Sequence, residues 1–154
     1  MSVTDDIEAL SARHPDERAV WSFGGVSDEI IQNAEATIGF PFPESYKLFL
    51  RTYGQGYIGD YYLILGLTDP DRSDALKDCV AVTERLRKDV SEDFPKHFIA
   101  FVSDNGEMYF CFDASKEEAE NEYPVVRYFP FEGVETGFSN FSEFVKYAIA
   151  FYES

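Results

Sequence analysis

From Val26 to Tyr53 the apolar positions form two helical stripes separated by prolines. Ile30, Ile31, Ala34 and Ile38 share one face at helical spacing, and Tyr46, Phe49, Leu50 and Tyr53 share another. Ser27 is placed to cap the first helix, with Asp28 and Glu29 at the positive end of its dipole. Gly39 suits the left-handed conformation that ends a helix, and Pro41 and Pro43 block continuation. Pro43 can sit near the start of the second helix, where its missing N–H costs little. Gly54 and Gly56 close that helix. No residue in the stretch has an obvious reactive role. A firmly specified scaffold without a reactive group points to binding rather than chemistry.

The remaining pattern supplies further elements. Residues 3–13 predict a short helix through Ile7 and Leu10, broken at His14-Pro15-Asp16, and Ala19 to Phe23 predict a short strand. Tyr57 to Leu67 reads as one or two strands bending at Gly59-Asp60. Asp69-Pro70 starts a helix, and Ala75, Cys79, Val82, Leu86 and Val90 recur at spacings of 4, 3, 4 and 4 along it. Arg85, Arg87 and Lys88 suit the negative pole at its end. Phe98 to Val102 predicts a buried strand, Asn105-Gly106 a two-residue hairpin turn, and Met108 to Phe112 the returning strand. Tyr123 to Phe129 predicts another, with Pro124 marking an edge or a strand end. Asn140 and Glu143 form a capping box for a terminal helix that turns Phe141, Phe144, Val145, Ala148, Ile149 and Tyr152 inward. Hairpin-joined strands among helices give an α+β class, with a mainly antiparallel sheet and helices packed against it. With no repeat and no long linker, residues 1–154 are expected to form one domain.

Composition sharpens this picture. Hydrophobic residues make up 45% of the chain and aromatic ones 17%, which argues against a disordered chain. Most of the 15 Phe and 10 Tyr are expected in the core. The net charge of −16, with only 13 Lys and Arg, argues against nucleic acid and against an anionic membrane surface. A basic protein partner would instead be attracted and steered. Two cysteines, Cys79 and Cys111, are too few for a disulfide framework and are expected to be buried thiols. Met1 to Asp6 lacks a basic region leading into an apolar run, so neither a signal peptide nor a spanning segment is expected, and the cytoplasm follows.

Reactive chemistry finds little support. His14, His97, Cys79 and Cys111 have no zinc-ligand spacing, so no metal is expected through them. Gly24-Gly25 and Gly54-Gln55-Gly56 are turn glycines, since Tyr57 stands where a phosphate loop needs Lys. Asp104, Glu107 and Asp113 surround the hairpin and could hold a hard cation, although turn support and solvation explain them more simply. Asp69 to Asp74 lacks the glycine and closing glutamate of a calcium loop. No cofactor is expected. Charge is uneven: from Asp104 to Glu143 ten carboxylates face only Lys116 and Arg127, a net −8. That segment suits a basic partner or a solvated loop.

The stretch from residue 21 to 56 resembles the SUKH superfamily, in its Smi/Knr-like branch. Glu35, Gly39, Pro43, Glu44, Tyr46, Lys47, Phe49, Leu50, Gly54 and Gly56 hold the motif positions. Phe42 replaces a smaller aliphatic, and Gln55 separates glycines that are often adjacent. Asn105-Gly106-Glu107 leading to Asp113, Tyr123-Pro124-Val125-Val126 and the aromatic C-terminal helix are similar to later parts of the family pattern. The resemblance implies helices on one side of the sheet. It also implies a cytoplasmic, non-enzymatic bacterial immunity protein that blocks a cognate toxin domain stoichiometrically. Many such toxins are nucleases with basic surfaces. The alternative is a regulatory scaffold module of the same fold, and a carboxylate enzyme with a divalent cation is the third class. Charge and loop placement put the interface on Asp104, Glu107, Glu117, Glu118, Glu120, Glu122, Glu132 and Glu135, with Tyr57, Asp60 and Tyr61 as a second edge. The motif does not assign these residues. Oligomeric state is left open, with the Tyr57–Leu67 strand as a possible dimer edge.

Overall fold

A computed structural model describes residues 2–69, 78–89, 94–117 and 120–154. Among them are helices α1 (Val3–Arg13), α2 (Asp28–Ile38), α3 (Glu44–Tyr53), α4 (Cys79–Asp89) and α5 (Phe141–Glu153). The strands are β1 (Val20–Ser22), β2 (Gly56–Ile58), β3 (Tyr62–Ile64), β4 (Phe98–Asp104), β5 (Met108–Asp113), β6 (Val125–Phe129) and β7 (Gly133–Phe138). The start of the helix at Asp69-Pro70, together with Ala75 and Val90, lies outside the described residues at least in part.

The helix ends follow local chemistry supplemented from a distance. Ser2 and Asp5 form a capping box on α1, and the Ser27 hydroxyl accepts from the Ile30 N–H at 3.3 Å. Gly39 ends α2 at φ +90°. The Glu35 carboxylate accepts from the Phe42 N–H at 2.7 Å and so fixes the proline corner between α2 and α3. Pro43 offers α3 no side-chain cap. Glu122, 77 residues away, supplies one by accepting from the Ser45 N–H at 2.9 Å and hydroxyl at 2.7 Å. Asn140 caps α5 through the Glu143 N–H, without the reciprocal bond of a full capping box. Arg87 ties α4 to the end of α2, donating to the Ile38 carbonyl at 2.8 Å, and to the Lys96 carbonyl at 2.6 Å.

The strands form two antiparallel sheets, ordered β1-β2-β3 and β4-β5-β6-β7, rather than one. A bulge in β4 between Ala100 and Val102 leaves Phe101 out of register with β5. The Phe101 carbonyl instead accepts from the Leu65 N–H at 2.7 Å, joining the end of β3 to β4. The Asn105-Gly106 turn is present, both residues at positive φ, with the Glu107 N–H closing onto the Asp104 carbonyl at 3.0 Å. The ladder pairs Asp104 with Met108, so Glu107 is an extra loop residue and the connection is longer than a two-residue one. Pro124 precedes β6, which lies inside the sheet, so it marks a strand end and not an edge. β7 is an edge strand, with mostly exposed side chains, and it gave no strand pattern.

Helices do not confine themselves to one side of the four-stranded sheet. Phe110 and Phe112 meet Phe141 and Phe144 of α5. Neighbouring side chains point to the opposite face. There the Tyr109 hydroxyl accepts from Arg85 of α4, while at the outer edge of β4 the Thr83 hydroxyl of α4 accepts from the Ala100 N–H at 3.0 Å. This double cover explains the nearly unbroken burial of β4 and β5.

Tyr46 sits at the centre of the aromatic core, within 5.0–5.3 Å of the rings of Phe42, Phe112 and Phe141. Its hydroxyl donates to the Leu65 carbonyl at 2.6 Å. Burial pushes its ionisation far above the ordinary range for a tyrosine, so it remains a donor at any physiological pH. Cys79 and Cys111 are buried free thiols, and burial pushes Cys79 up to about 12.

Two predictions follow from these contacts. Tyr46→Phe strands the buried Leu65 carbonyl and should cost about 1–3 kcal/mol of unfolding free energy in a urea titration. The second concerns the tie between α1 and α5. Arg13 forks onto Glu153 with two bonds of 2.9 Å, and His14 adds a third contact at 2.7 Å. These partners lower the Glu153 carboxyl from an ordinary 4.5 to about 2. A depressed folded-state value stabilises the fold above the unfolded value and is lost as pH falls through the folded one. The melting-temperature advantage over Glu153→Gln should therefore be present at pH 7, shrink below pH 4.5 and vanish near pH 2.

Candidate protein-binding surface

Two hairpin ends come together at one end of the four-stranded sheet. The β4–β5 turn contributes Asp104, Glu107 and Met108, and the β6–β7 turn contributes Phe129, Pro130 and Glu132. Between them lies an open depression of about 630 Å³, with Arg127 in its wall. Three of the expected carboxylates, Asp104, Glu107 and Glu132, are thus neighbours. Glu135 stands opposite Arg127 in the β6–β7 ladder. Arg127 is already committed to the chain. Its guanidinium lies 5.4 Å from the Phe110 ring centre and 5.3 Å from that of Phe138, and donates to the Thr136 carbonyl at 3.0 Å.

Apolar groups flank these acids. Phe131 projects from the β6–β7 turn, 78% exposed, at φ +64°. A bulky residue in that left-handed conformation carries strain, which collects at functional positions. Tyr61 donates to Asp104 at 3.2 Å and packs near Phe151, itself exposed. Tyr61 therefore joins the acidic end, whereas Tyr57 and Asp60 line a separate depression with Trp21. The expected second edge is divided between two places.

Glu117, Glu120 and Glu122 lie elsewhere. Met108 and Asp113 bound opposite ends of β5, about 17 Å apart at the usual strand rise. Past Asp113, Asn121 and Glu122 clamp the start of α3. Glu117 accepts from the Asn121 N–H at 2.9 Å, the Asn121 carbonyl accepts from the Glu44 N–H at 2.9 Å, and Glu122 caps α3. Both Glu122 oxygens are used within the fold. Glu120 is exposed, and Glu118 lies outside the described residues. The eight carboxylates do not make one patch.

The cation arrangement considered for Asp104, Glu107 and Asp113 is not formed. Asp113 is buried at the far end of β5 and accepts from the Ser115 N–H and hydroxyl at 3.0 and 2.6 Å. Among the described residues no three His, Cys, Asp or Glu side chains are grouped to hold a metal ion. No described helix is long and apolar enough to cross a membrane.

Sequence reasoning missed Trp21 and Phe131. The Pro130-Phe131-Glu132-Gly133 run carries the turn signal that would have placed Phe131 at a tip. Trp21 gave no such signal, because its exposure depends on which face β2 leaves open.

The division between structural and free carboxylates is measurable. Glu122→Ala should cost about 1 kcal/mol through loss of the α3 cap. Glu107→Ala and Glu132→Ala should stay within about 0.5 kcal/mol of the parent in the same urea titration.

A comparison with curated proteins finds no match. A family model described as SMI1-KNR4 cell-wall, SUKH_5, matches residues 3–150. The match spans the motif helices, both sheets and most of α5, so the chain belongs to the SMI1-KNR4 branch of the SUKH superfamily.

Proposed function

We propose that this chain is a bacterial immunity protein that binds a basic toxin domain in the cytoplasm and blocks it stoichiometrically, without turnover. The observation that carries the reading is the hairpin end of the four-stranded sheet. There Asp104, Glu107 and Glu132 border one depression, and the exposed Phe131 stands beside them. Carboxylates would steer a basic surface into place, and aromatic side chains supply the desolvated anchors that hold interfaces. Family membership supports the same reading. A non-catalytic role is supported by the two buried thiols, whose ionisation burial pushes upward. A nuclease is a suitable target, since its nucleic-acid surface must be basic.

The words cell-wall in the family description favour a second reading, a regulatory module that recognises a protein of cell-wall control. Co-expression with the toxin domain encoded beside the gene separates the two. Growth rescue with a one-to-one complex supports immunity, whereas neither rescue nor complex with an active toxin supports the regulatory role. Within such a complex, Glu107→Lys with Glu132→Lys should slow association at least tenfold while leaving the fold intact. Raising salt should slow association of the parent more than it speeds dissociation, and a salt-independent on-rate would remove the electrostatic part.

A further inference from the structure

The three-stranded sheet has an open side that the hairpin-end surface does not use. Its inner row, Ile58, Tyr62 and Ile64, is buried, and Tyr62 meets Phe144 and Phe151 of α5. Its outer row runs across the strands as Trp21, Tyr57 and Leu63. Trp21 is 38% and Tyr57 37% exposed, with ring centres 6.3 Å apart. Beside them a depression of about 450 Å³ is lined by Arg18, Trp21, Tyr57, Gly59 and Asp60. Among the described residues no Lys, Arg or His side chain makes an ion pair with Asp60.

β1 is also an open edge. The Gly59 N–H donates to the Ala19 carbonyl and the Phe23 N–H to the Gln55 carbonyl, so Trp21 faces Tyr57 in the hydrogen-bonded register. Val20 and Ser22 therefore turn their backbone groups outward, where an added strand could meet them.

We propose that this face receives an extended, basic segment of the partner protein, with a Lys or Arg side chain seated against Trp21 and Tyr57 and paired with Asp60. The proposal rests on the binding role argued above and gives it a second anchor. Two aromatic faces and a carboxylate together make a site for a cation. Charge decides against a second copy as occupant: each chain carries −16, and pairing two would concentrate like charge, whereas a basic segment lowers it. Arg18, on the same depression, opposes a cation, so its removal should help.

Trp21 is the single tryptophan of the chain and reports on the site directly. Deca-arginine titrated into the whole protein should change its emission saturably, and deca-glutamate should not. Asp60→Asn should weaken that binding at least threefold, and Arg18→Ala should tighten it about twofold. Glu107→Gln with Glu132→Gln should leave the Trp21 emission change intact. Deca-arginine binding seen by calorimetry with unchanged Trp21 emission would overturn the site. So would Asp60→Asn and Arg18→Ala acting in the same direction. A concentration-dependent emission change without peptide, with dimer in sedimentation, would give the face to a second copy instead. If a rescuing toxin complex forms and leaves Trp21 emission unchanged, this site fails and the immunity reading stands. If deca-arginine binds here as described but the active toxin is neither bound nor neutralised, the immunity reading fails on its own.

Discussion

The peptide group of Leu65 is the joint on which the architecture depends. Its N–H donates to the Phe101 carbonyl and its carbonyl accepts from the Tyr46 hydroxyl. One residue thereby connects the small sheet, the large sheet and α3. Each bond is individually modest, but all three groups are buried, so leaving any one unpaired carries a desolvation cost. The β4 bulge is what frees the Phe101 carbonyl for this use, and the tyrosine of the family motif is what reaches the other side of the peptide. Close backbone approaches complete the joint. A Cβ on Gly66 would lie 1.7 Å from the Gly54 carbonyl oxygen, which leaves room for nothing larger than glycine there.

Sequence periodicity revealed the parts whose burial is one-sided. The stripes of α2, α3 and α5, the Asn105-Gly106 turn and the buried run of β4 were readable because local pattern and tertiary burial agree. β7 was not readable. Gly133-Val134-Glu135-Thr136-Gly137-Phe138 pairs through its backbone at an exposed edge, so its side chains have no apolar alternation to show. The split into two sheets was hidden for a different reason: the end of β3 meets β4 through the Leu65–Phe101 backbone bond rather than a strand ladder, and no local pattern marks that. The helices on both faces of the large sheet left β4 and β5 as continuous apolar runs, a pattern equally consistent with one covered face and a buried edge.

The candidate surface was legible as charge but not as shape. Counting acids from Asp104 to Glu143 located a negative segment, yet strand geometry sends its members to opposite ends of β5 and β6. Glu122 shows why counting fails. A carboxylate that caps a helix from 77 residues away is identical in sequence to one that waits for a partner. The fold instead brings Tyr61 to Asp104 and exposes Phe131 at the turn that carries Glu132, giving the acidic end the mixture of charge and aromatic area that protein interfaces use.

The aromatic core, the glycine-tight joint and the two buried thiols fit a molecule that works by presenting a surface. Amide hydrogen exchange, compared between the chain alone and its complex with the proposed toxin domain, tests that account most directly. The account predicts new protection across residues 104–108 and 129–135, with little change at 117–122. Protection confined to 117–122, with the two hairpin ends still exchanging freely, would contradict it.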